Sequence, residues 1–304
     1  MKKTALNVGF KSGFVGVLGK TNVGKSTLIN ALLGQKTVIV SDKPQTTRNR
    51  IRCILNHEDA QIVLLDTPGL HRPVDNLSNY LIQQAMTALD GLDLLIYLIE
   101  PWGSVKAFDR PLFERFQTLK IPCILAINKV DQARGNAVLE TIAHHATLNV
   151  FAEIVPISST QPHNLDTLLG LVKECLPQGP PFFDQDQTTD RPLHFLIAEL
   201  IREQVFRLTQ EEIPYAVAVE VGQITERTDK PLVEIYADID VARTSQRGIL
   251  IGKGGSMIKQ IGQQARKQIE ALLGTRVFLE LNVRVLKKWN KDPSKIQRLL
   301  GQDG

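Results

Sequence analysis

The order of apolar runs predicts two folds in series: an α/β domain with a mostly parallel sheet and helices on both faces, then an α+β domain. Three observations carry this. Through residues 1–178, short and nearly continuous apolar runs alternate with helical patterns, as expected of strands buried on both sides. Residues 179–192 sit in a stretch of Pro, Gly and polar residues (PQGPPFFDQDQTTDRP) that reads as a linker. Over 193–304 the order becomes helix, two strands, two helices and a strand, which predicts helices on one face of a three-stranded sheet.

In the first part, strands are expected at 14–18, 61–66 (QIVLLD), 93–99 (DLLIYLI), 123–128 (CILAIN) and 154–157. Helices are expected at 25–33, 76–89, 105–119, 135–148 and 164–176. The run 51–57 closely precedes QIVLLD and reads as an antiparallel edge. In the second part, a helix at 194–208 is followed by 215–221 (YAVAVEV), with Tyr215, Val217, Val219 and Val221 on one face. A second strand is read at 232–240. A short and a long helix over 245–273 are interrupted by GKGG. The third strand, 276–286, turns Val277, Leu279, Leu281, Val283 and Val285 one way and Arg276, Glu280, Asn282 and Arg284 the other.

Composition narrows the class. Hydrophobic residues make up 43% and charged residues 22% of 304, a globular balance that excludes disordered and collagen-like chains. The net charge is only +4, yet residues 243–298 hold thirteen Lys/Arg against Glu270, Glu280 and Asp292. Basic charge is therefore concentrated at one end, which suits a polyanion. Cys53, Cys123 and Cys175 are odd in number and lack metal-ligand spacing, so neither a disulfide framework nor a zinc site is expected, and a reducing cytoplasmic compartment fits. Residues 1–8 lack the apolar run of a signal peptide, and no stretch approaches the roughly 18 apolar residues of a membrane span.

Gly19-Lys20-Thr21-Asn22-Val23-Gly24-Lys25-Ser26, with Thr27 following, matches G-x-x-x-x-G-K-[ST] after an apolar strand and before a helix. Such a loop lets backbone N–H groups surround phosphate oxygens at the positive end of a helix. Lys25 supplies charge to the β and γ phosphates, and the Ser26 hydroxyl can ligate Mg²⁺. Asp66-Thr67-Pro68-Gly69 ends QIVLLD: a carboxylate at a strand tip can hold Mg²⁺ through water, and the Gly69 N–H can meet a γ-phosphate. Asn128-Lys129-Val130-Asp131 follows CILAI. The Asp131 carboxylate can accept two hydrogen bonds from guanine, Asn128 can meet the opposite edge, and the Lys129 stem can cover the base plane; adenine offers no matching donors. Ser158-Ser159 is placed to complete the base pocket through backbone N–H, though a serine pair also caps helices. In the polar segment 41–51 (SDKPQTTRNRI), Thr47 is the expected Mg²⁺ ligand, with Thr46 beside it as the alternative.

TNVGKSTLIN, QTTR, DTPGL and NKVD in this order resemble the Era family of P-loop GTPases, and the resemblance covers nearly the whole chain. Lys20-Thr21 stand where that family often has Arg-Pro. Leu70 follows DTPG where Ras-like enzymes have the water-orienting Gln, so slow intrinsic hydrolysis is expected, with charge stabilisation from another group or a cation. Lys25, Thr47, Gly69 and Asn22 are the candidate catalytic groups. The resemblance implies that Asn22 helps hold K⁺ near the phosphates; the same Asn also suits a plain turn.

Gly252-Lys253-Gly254-Gly255, followed by Ser256, joins two helices without side chains that would block an approaching backbone. With the α-β-β-α-α-β order around it, this looks like a type II KH domain, which clamps about four nucleotides of single-stranded nucleic acid. Ile249, Leu250, Ile251 and Ile258 are expected beside the bases, and Lys259, Lys287 and Lys288 near the backbone. Trp289, within Lys287-Lys288-Trp289-Asn290-Lys291, suits base stacking and internal packing equally.

The Era resemblance implies binding of the 3′ end of small-subunit ribosomal RNA during subunit assembly, and peripheral association with the inner membrane face; a monomer is expected. The alternative is another RNA-binding regulatory GTPase. NKVD argues against a P-loop kinase or ATPase, and the complete Lys25, Ser26 and Asp66 against a scaffold with a vestigial pocket. A tandem GTPase fails because a single Walker A sequence is present.

Overall fold

Leu, Ile and Val fill six strands that pair into one sheet ordered β2-β3-β1-β4-β5-β6, in a computed structural model that describes residues 9–41, 43, 45–71, 75–102 and 110–300. The strands are β1 (Lys11–Gly19), β2 (Ile51–Asn56), β3 (Ala60–Asp66), β4 (Leu94–Ile99), β5 (Cys123–Ile127) and β6 (Glu153–Pro156). All neighbours run parallel except β2, which pairs antiparallel with β3 from Ile51↔Asp66 to Asn56↔Gln61. Helices α1 (Lys25–Leu33), α2 (Asn76–Thr87), α3 (Arg110–Thr118), α4 (Ala137–Ala146) and α5 (Leu165–Cys175) alternate with them. Every residue of β3 and β4 is buried, as crossover helices on both faces require. One core face gathers Tyr97, Phe113 and Phe116 around β4 and β5, with Phe151 packed against them, and Tyr97 meets Phe113 edge-on at 5.7 Å. Burying each such side chain contributes about 1.5–3 kcal/mol.

The register places Val17 beside Asp66, Gly19 beside Leu98 and Ile99 beside Ile127. The C-terminal ends of β1, β3, β4 and β5 therefore share one edge of the sheet, where ligands of open α/β sheets bind.

In the second part, β7 (Val217–Glu226) pairs antiparallel with β8 (Leu232–Val241), and β8 pairs parallel with β9 (Arg276–Val285). Helices α6 (Leu193–Leu208), α7 (Thr244–Ile251) and α8 (Ser256–Leu273) close a core of Ile197, Ile201, Ile235, Ile239, Ile261 and Ile269. A ninth helix, α9 (Pro293–Leu300), had no sequence expectation; Asp292 caps it, its Oδ1 accepting from Ser294 N at 3.0 Å.

Tyr215 and the expected linker depart from the sequence reading, and two readings lie outside the described residues. Tyr215 lies in a 3₁₀ turn, Pro214–Ala216, ahead of β7, because Pro214 has a fixed φ and no N–H for the ladder. The stretch read as a linker runs along the first sheet as far as Asp190: Ile54 N donates to Thr188 O at 2.9 Å, the Thr189 hydroxyl to Arg52 O at 2.8 Å, and Arg52 pairs with Asp190 at 2.7 Å. Residues 105–109 of the third expected helix, and the leader-free reading of 1–8, lie outside the described residues. Finally, the chain divides into one unit of Met1–Val38, Asn49–His71 and Leu81–Asp190 and another of Ile39–Arg48, Arg72–Tyr80 and Arg191–Gly304. The expected Mg²⁺-sensing segment thus falls largely in the second. No helix of the described residues is long and apolar enough to cross a membrane.

Candidate functional site

The glycine-rich loop leaves β1 at Gly19 and enters α1 at Lys25. Asn22 (φ 65) and Gly24 (φ 100) both take left-handed backbone. A Cβ on Gly24 would lie 2.4 Å from Asn128 Nδ2, so the close approach of the NKVD asparagine demands glycine there. The bond that results is Asn128 Nδ2 donating to Val23 O at 2.8 Å.

Lys25 is buried and its Nζ donates to the carbonyls of Gly19 at 3.1 Å and Lys20 at 2.9 Å. Burial lowers its pKa to about 8, partly offset by the charge of Asp66. Ser26 Oγ donates to Asp66 Oδ2 at 2.9 Å, which brings two expected Mg²⁺ ligands together. A hydroxyl and a fully buried carboxylate are hard oxygen donors that fit this ion. Thr27 follows on the first turn of α1 and is half-buried.

Thr67 is buried, its hydroxyl donating to Val17 O at 2.8 Å. Buried Pro68 and Gly69 follow, and a Cβ on Gly69 would lie 2.8 Å from Thr21 Cα. Leu70 N donates to Gly19 O at 3.0 Å and Thr21 N to Leu70 O at 3.3 Å. The Leu70 side chain is 4% exposed and belongs to the sheet core. Leucine here is a core residue, not a water-positioning one.

The residues expected to select the base are each held by a hydrogen bond. Asn128 Oδ1 accepts from Ser159 N at 3.1 Å and Ser159 Oγ at 2.9 Å. Ser158 Oγ donates to Asp131 Oδ1 at 2.6 Å. Lys129, held at φ 64, donates to Asn22 O at 2.7 Å and pairs with Glu100 at 2.5 Å. Glu100, directly after β4, escaped the sequence reading; an acid following DLLIYLI at the ligand edge of the sheet was its only signal. Asp131 is exposed, leaving a carboxylate edge open to a base.

In the second unit the GKGG loop separates α7 from α8. Gly252 (φ 74) is closed in: a Cβ there would lie 2.8 Å from Met257 N. Gly254 (φ 59) and Gly255 (φ 80) face open space, with nothing within 4 Å of an added Cβ. Lys253, Ser256 and Lys259 are exposed, and Ile249 is 50% exposed. Leu250 is fully buried in the core, so it cannot touch bases; the helical period turns it inward while Ile249 points out. Trp289 is also fully buried, donating from Nε1 to Ala216 O at 2.9 Å, so internal packing is its role. Exposed Lys287 and Lys288 line a cavity of about 940 Å³ together with Arg243, Lys291, Tyr215 and Gln45.

Fold and site together define a P-loop GTPase joined to a KH domain. A family described as 50S ribosome-binding GTPase matches residues 14–129, and the KH domain family matches 212–290. The chain is 49% identical to GTPase Era of Geobacter metallireducens, covering 95% of this chain and 97% of the relative, and 46% identical to GTPase Era of Lactobacillus helveticus, covering 95% and 96%. An Aquifex aeolicus Era variant solved with GDP and AlF4⁻ superposes with a TM-score of 0.91 at 38% identity, covering 96% of this chain and 99% of that one. Era solved with MgGDPNP and nucleotides 1506–1542 of 16S ribosomal RNA gives the same score, identity and coverage. The chain belongs to the Era family of GTPases, and it hydrolyses GTP.

Proposed function

We propose that this GTPase is a switch that binds single-stranded ribosomal RNA, at the 3′ end of the small-subunit RNA, and acts in small-subunit assembly. The observation that carries the reading is that Asn128 and Asp131 are held by Ser159 and Ser158 in a chain that also presents an open GKGG loop. The 16S fragment held by the solved relative supports the small subunit. The family description naming the 50S subunit belongs to a match over 14–129, which leaves the KH domain out.

In this reading Gly19–Ser26 N–H groups and Lys25 hold the β and γ phosphates, with Thr27 completing the loop. Ser26, Asp66 and Thr47 are the Mg²⁺ ligands, and the solved relative with MgGDPNP supports that ion. When bound, the ion neutralises charge growing on the transferring phosphoryl group. Gly69 N–H orients the γ-phosphate, and Asp131, Asn128 and Lys129 select and cover guanine. Asn22, in left-handed backbone within the loop, helps hold K⁺ there and stands in for the side chain that Leu70 does not supply. Ile249, Gly252–Ser256, Lys259, Lys287 and Lys288 bind the RNA. The functional domains run 1–178 and 193–304, joined by 179–192, in a monomer. The basic surface also serves peripheral attachment to anionic inner-membrane lipid.

Crosslinking in cells followed by sequencing of bound RNA tests the assignment: enrichment of small-subunit 3′-end fragments is expected, and enrichment of unrelated RNA sinks it. Turnover should be faster in K⁺ than in Na⁺ at equal ionic strength; equal rates remove the monovalent-ion role. Flotation with anionic vesicles tests the membrane attachment.

A further inference from the structure

Glu100 is an acid at the edge of the sheet where a nucleotide, itself a polyanion, binds. Its charge alone would oppose that ligand. It is spent instead on Lys129, whose Nζ lies 2.5 Å from Glu100 Oε1; the Lys129 and Glu100 side chains are 26% and 27% exposed. The same Nζ donates to Asn22 O in the phosphate loop at 2.7 Å. One ammonium is thus tied to the tip of β4 and to the phosphate loop at once. All three residues belong to the first unit.

The main chain fixes both partners. Ile99 and Ile127 are register partners at the ends of β4 and β5, and Asn128 N donates to Ile99 O at 2.8 Å. Glu100 therefore leaves one strand where Lys129 leaves its neighbour. Beyond Glu100, the buried Thr141 hydroxyl donates to Pro101 O at 2.6 Å; beyond Lys129, Val130 N donates to Ile157 O at 3.3 Å. Lys129 itself takes left-handed backbone, φ 64, which a lysine adopts only where its surroundings impose it. A lysine stem also loses much rotamer freedom when ordered. To lie over a base it must be stretched and fastened at its far end. Asn22 O is a neutral acceptor, and Glu100 supplies the charged and stronger one.

We propose that Glu100 is a positioning residue for the bound nucleotide: its ion pair holds the Lys129 stem stretched over the base and so slows the release of GDP. This rests on Lys129 as the cover of guanine, part of the reading above. Two roles for the acid predict opposite signs. Acting on the nucleotide directly, its charge would repel, and removing it would tighten binding. Acting through Lys129, its removal frees the stem and speeds release.

The test follows release of GDP carrying a fluorescent ribose label from the full chain, chased by excess unlabelled GDP. It compares wild type, Glu100→Gln, Glu100→Ala, Lys129→Met and the double variant of Glu100→Gln with Lys129→Met. Glutamine keeps the length and an acceptor but not the charge. Release should be about 3–10-fold faster in both Glu100 variants, as expected for losing a charged partner that is partly exposed. Association should stay within about twofold of wild type, since such changes fall mostly on the off-rate. Lys129→Met should speed release further, because it also loses the tether to Asn22. In that background Glu100→Gln should change release by less than about 1.5-fold, because two residues of one contact do not add.

Release at the wild-type rate or slower in Glu100 variants that melt like wild type overturns the proposal. So does a full Glu100→Gln effect in the Lys129→Met background, which places the action of the acid elsewhere. If Lys129→Met releases fast while the Glu100 variants do not, only the proposal falls and the guanine site stands. If Lys129→Met releases like wild type, the reading of Lys129 as a cover falls and takes the proposal with it. Should the Glu100 variants melt low, wild type and Lys129→Met carry the test. Added tetramethylammonium chloride screens the pair, so it should quicken release more in wild type than in Lys129→Met; equal dependence overturns the proposal.

Discussion

The two glycine loops of this chain are built in opposite ways. Around Gly19–Lys25 polar side chains close on the backbone: Asn128 holds Val23, Lys129 holds Asn22, and Lys25 turns onto Gly19 and Lys20. Around Gly254 and Gly255 there is open space. A site that must choose one base needs buried donors and acceptors fixed in advance, because a wrong partner then leaves them unpaired. A site that grips a strand by its backbone needs only an unobstructed surface and positive charge. Rigidity at one loop and vacancy at the other follow from what each must refuse.

The contrast can be broken from either side. The largest effect is expected at Trp289→Ala, which empties a fully buried site and should cost the second unit about 3–5 kcal/mol. Calorimetry should show its melting fall while GTP binding survives at temperatures where the first unit stays folded. Next, Lys25→Ala should weaken GTP binding by about 2–3 kcal/mol, roughly 30–150-fold, and leave nucleotide-independent RNA binding intact. Asp131→Asn exchanges a double acceptor for one donor and one acceptor, so preference for guanine over adenine nucleotides should shrink by about 1.5–3 kcal/mol in competition titrations. Replacing Gly254 and Gly255 by Asp should lower RNA affinity about tenfold or more without touching GTP affinity, because two like charges meet the phosphates. RNA binding as tight as wild type would show that the open loop is not the clamp.

The smallest effect is a pH slope. Without ligand Lys25 titrates near pH 8, below its ordinary value, because burial disfavours its charge. Bound phosphates require it protonated. Below pH 8 binding takes up no proton there; above it one is taken up, so GTP affinity should fall with rising pH, at most about tenfold per unit. Lys25→Arg should flatten that slope, and RNA affinity in the absence of nucleotide should lack it.

The motifs GKTNVGKS, DTPG and NKVD stood out in the sequence because each is a run of residues adjacent in the chain. The antiparallel edge at 51–57 was legible for the same reason, since β2 and β3 are joined by a short turn. What stayed hidden depends on contacts far apart in sequence. Glu100 matters only through Lys129, and Leu250 differs from Ile249 only by which way a helix turns. Trp289 fills the core because Ala216, seventy-three positions away, offers its carbonyl. Arg48, in a polar stretch that reads as surface loop, is buried by Val217 and Pro214, which no local pattern could announce.

Leu70 has a final consequence for anyone wishing to make this enzyme faster. Its backbone is stitched to the phosphate loop on both sides while its side chain points into the sheet. Installing glutamine there would not recreate a Ras-like catalyst; it would sink an amide into hydrocarbon and loosen the fold. The direction in which this residue faces is a property of the main chain, so changing it requires rerouting the backbone rather than exchanging a letter.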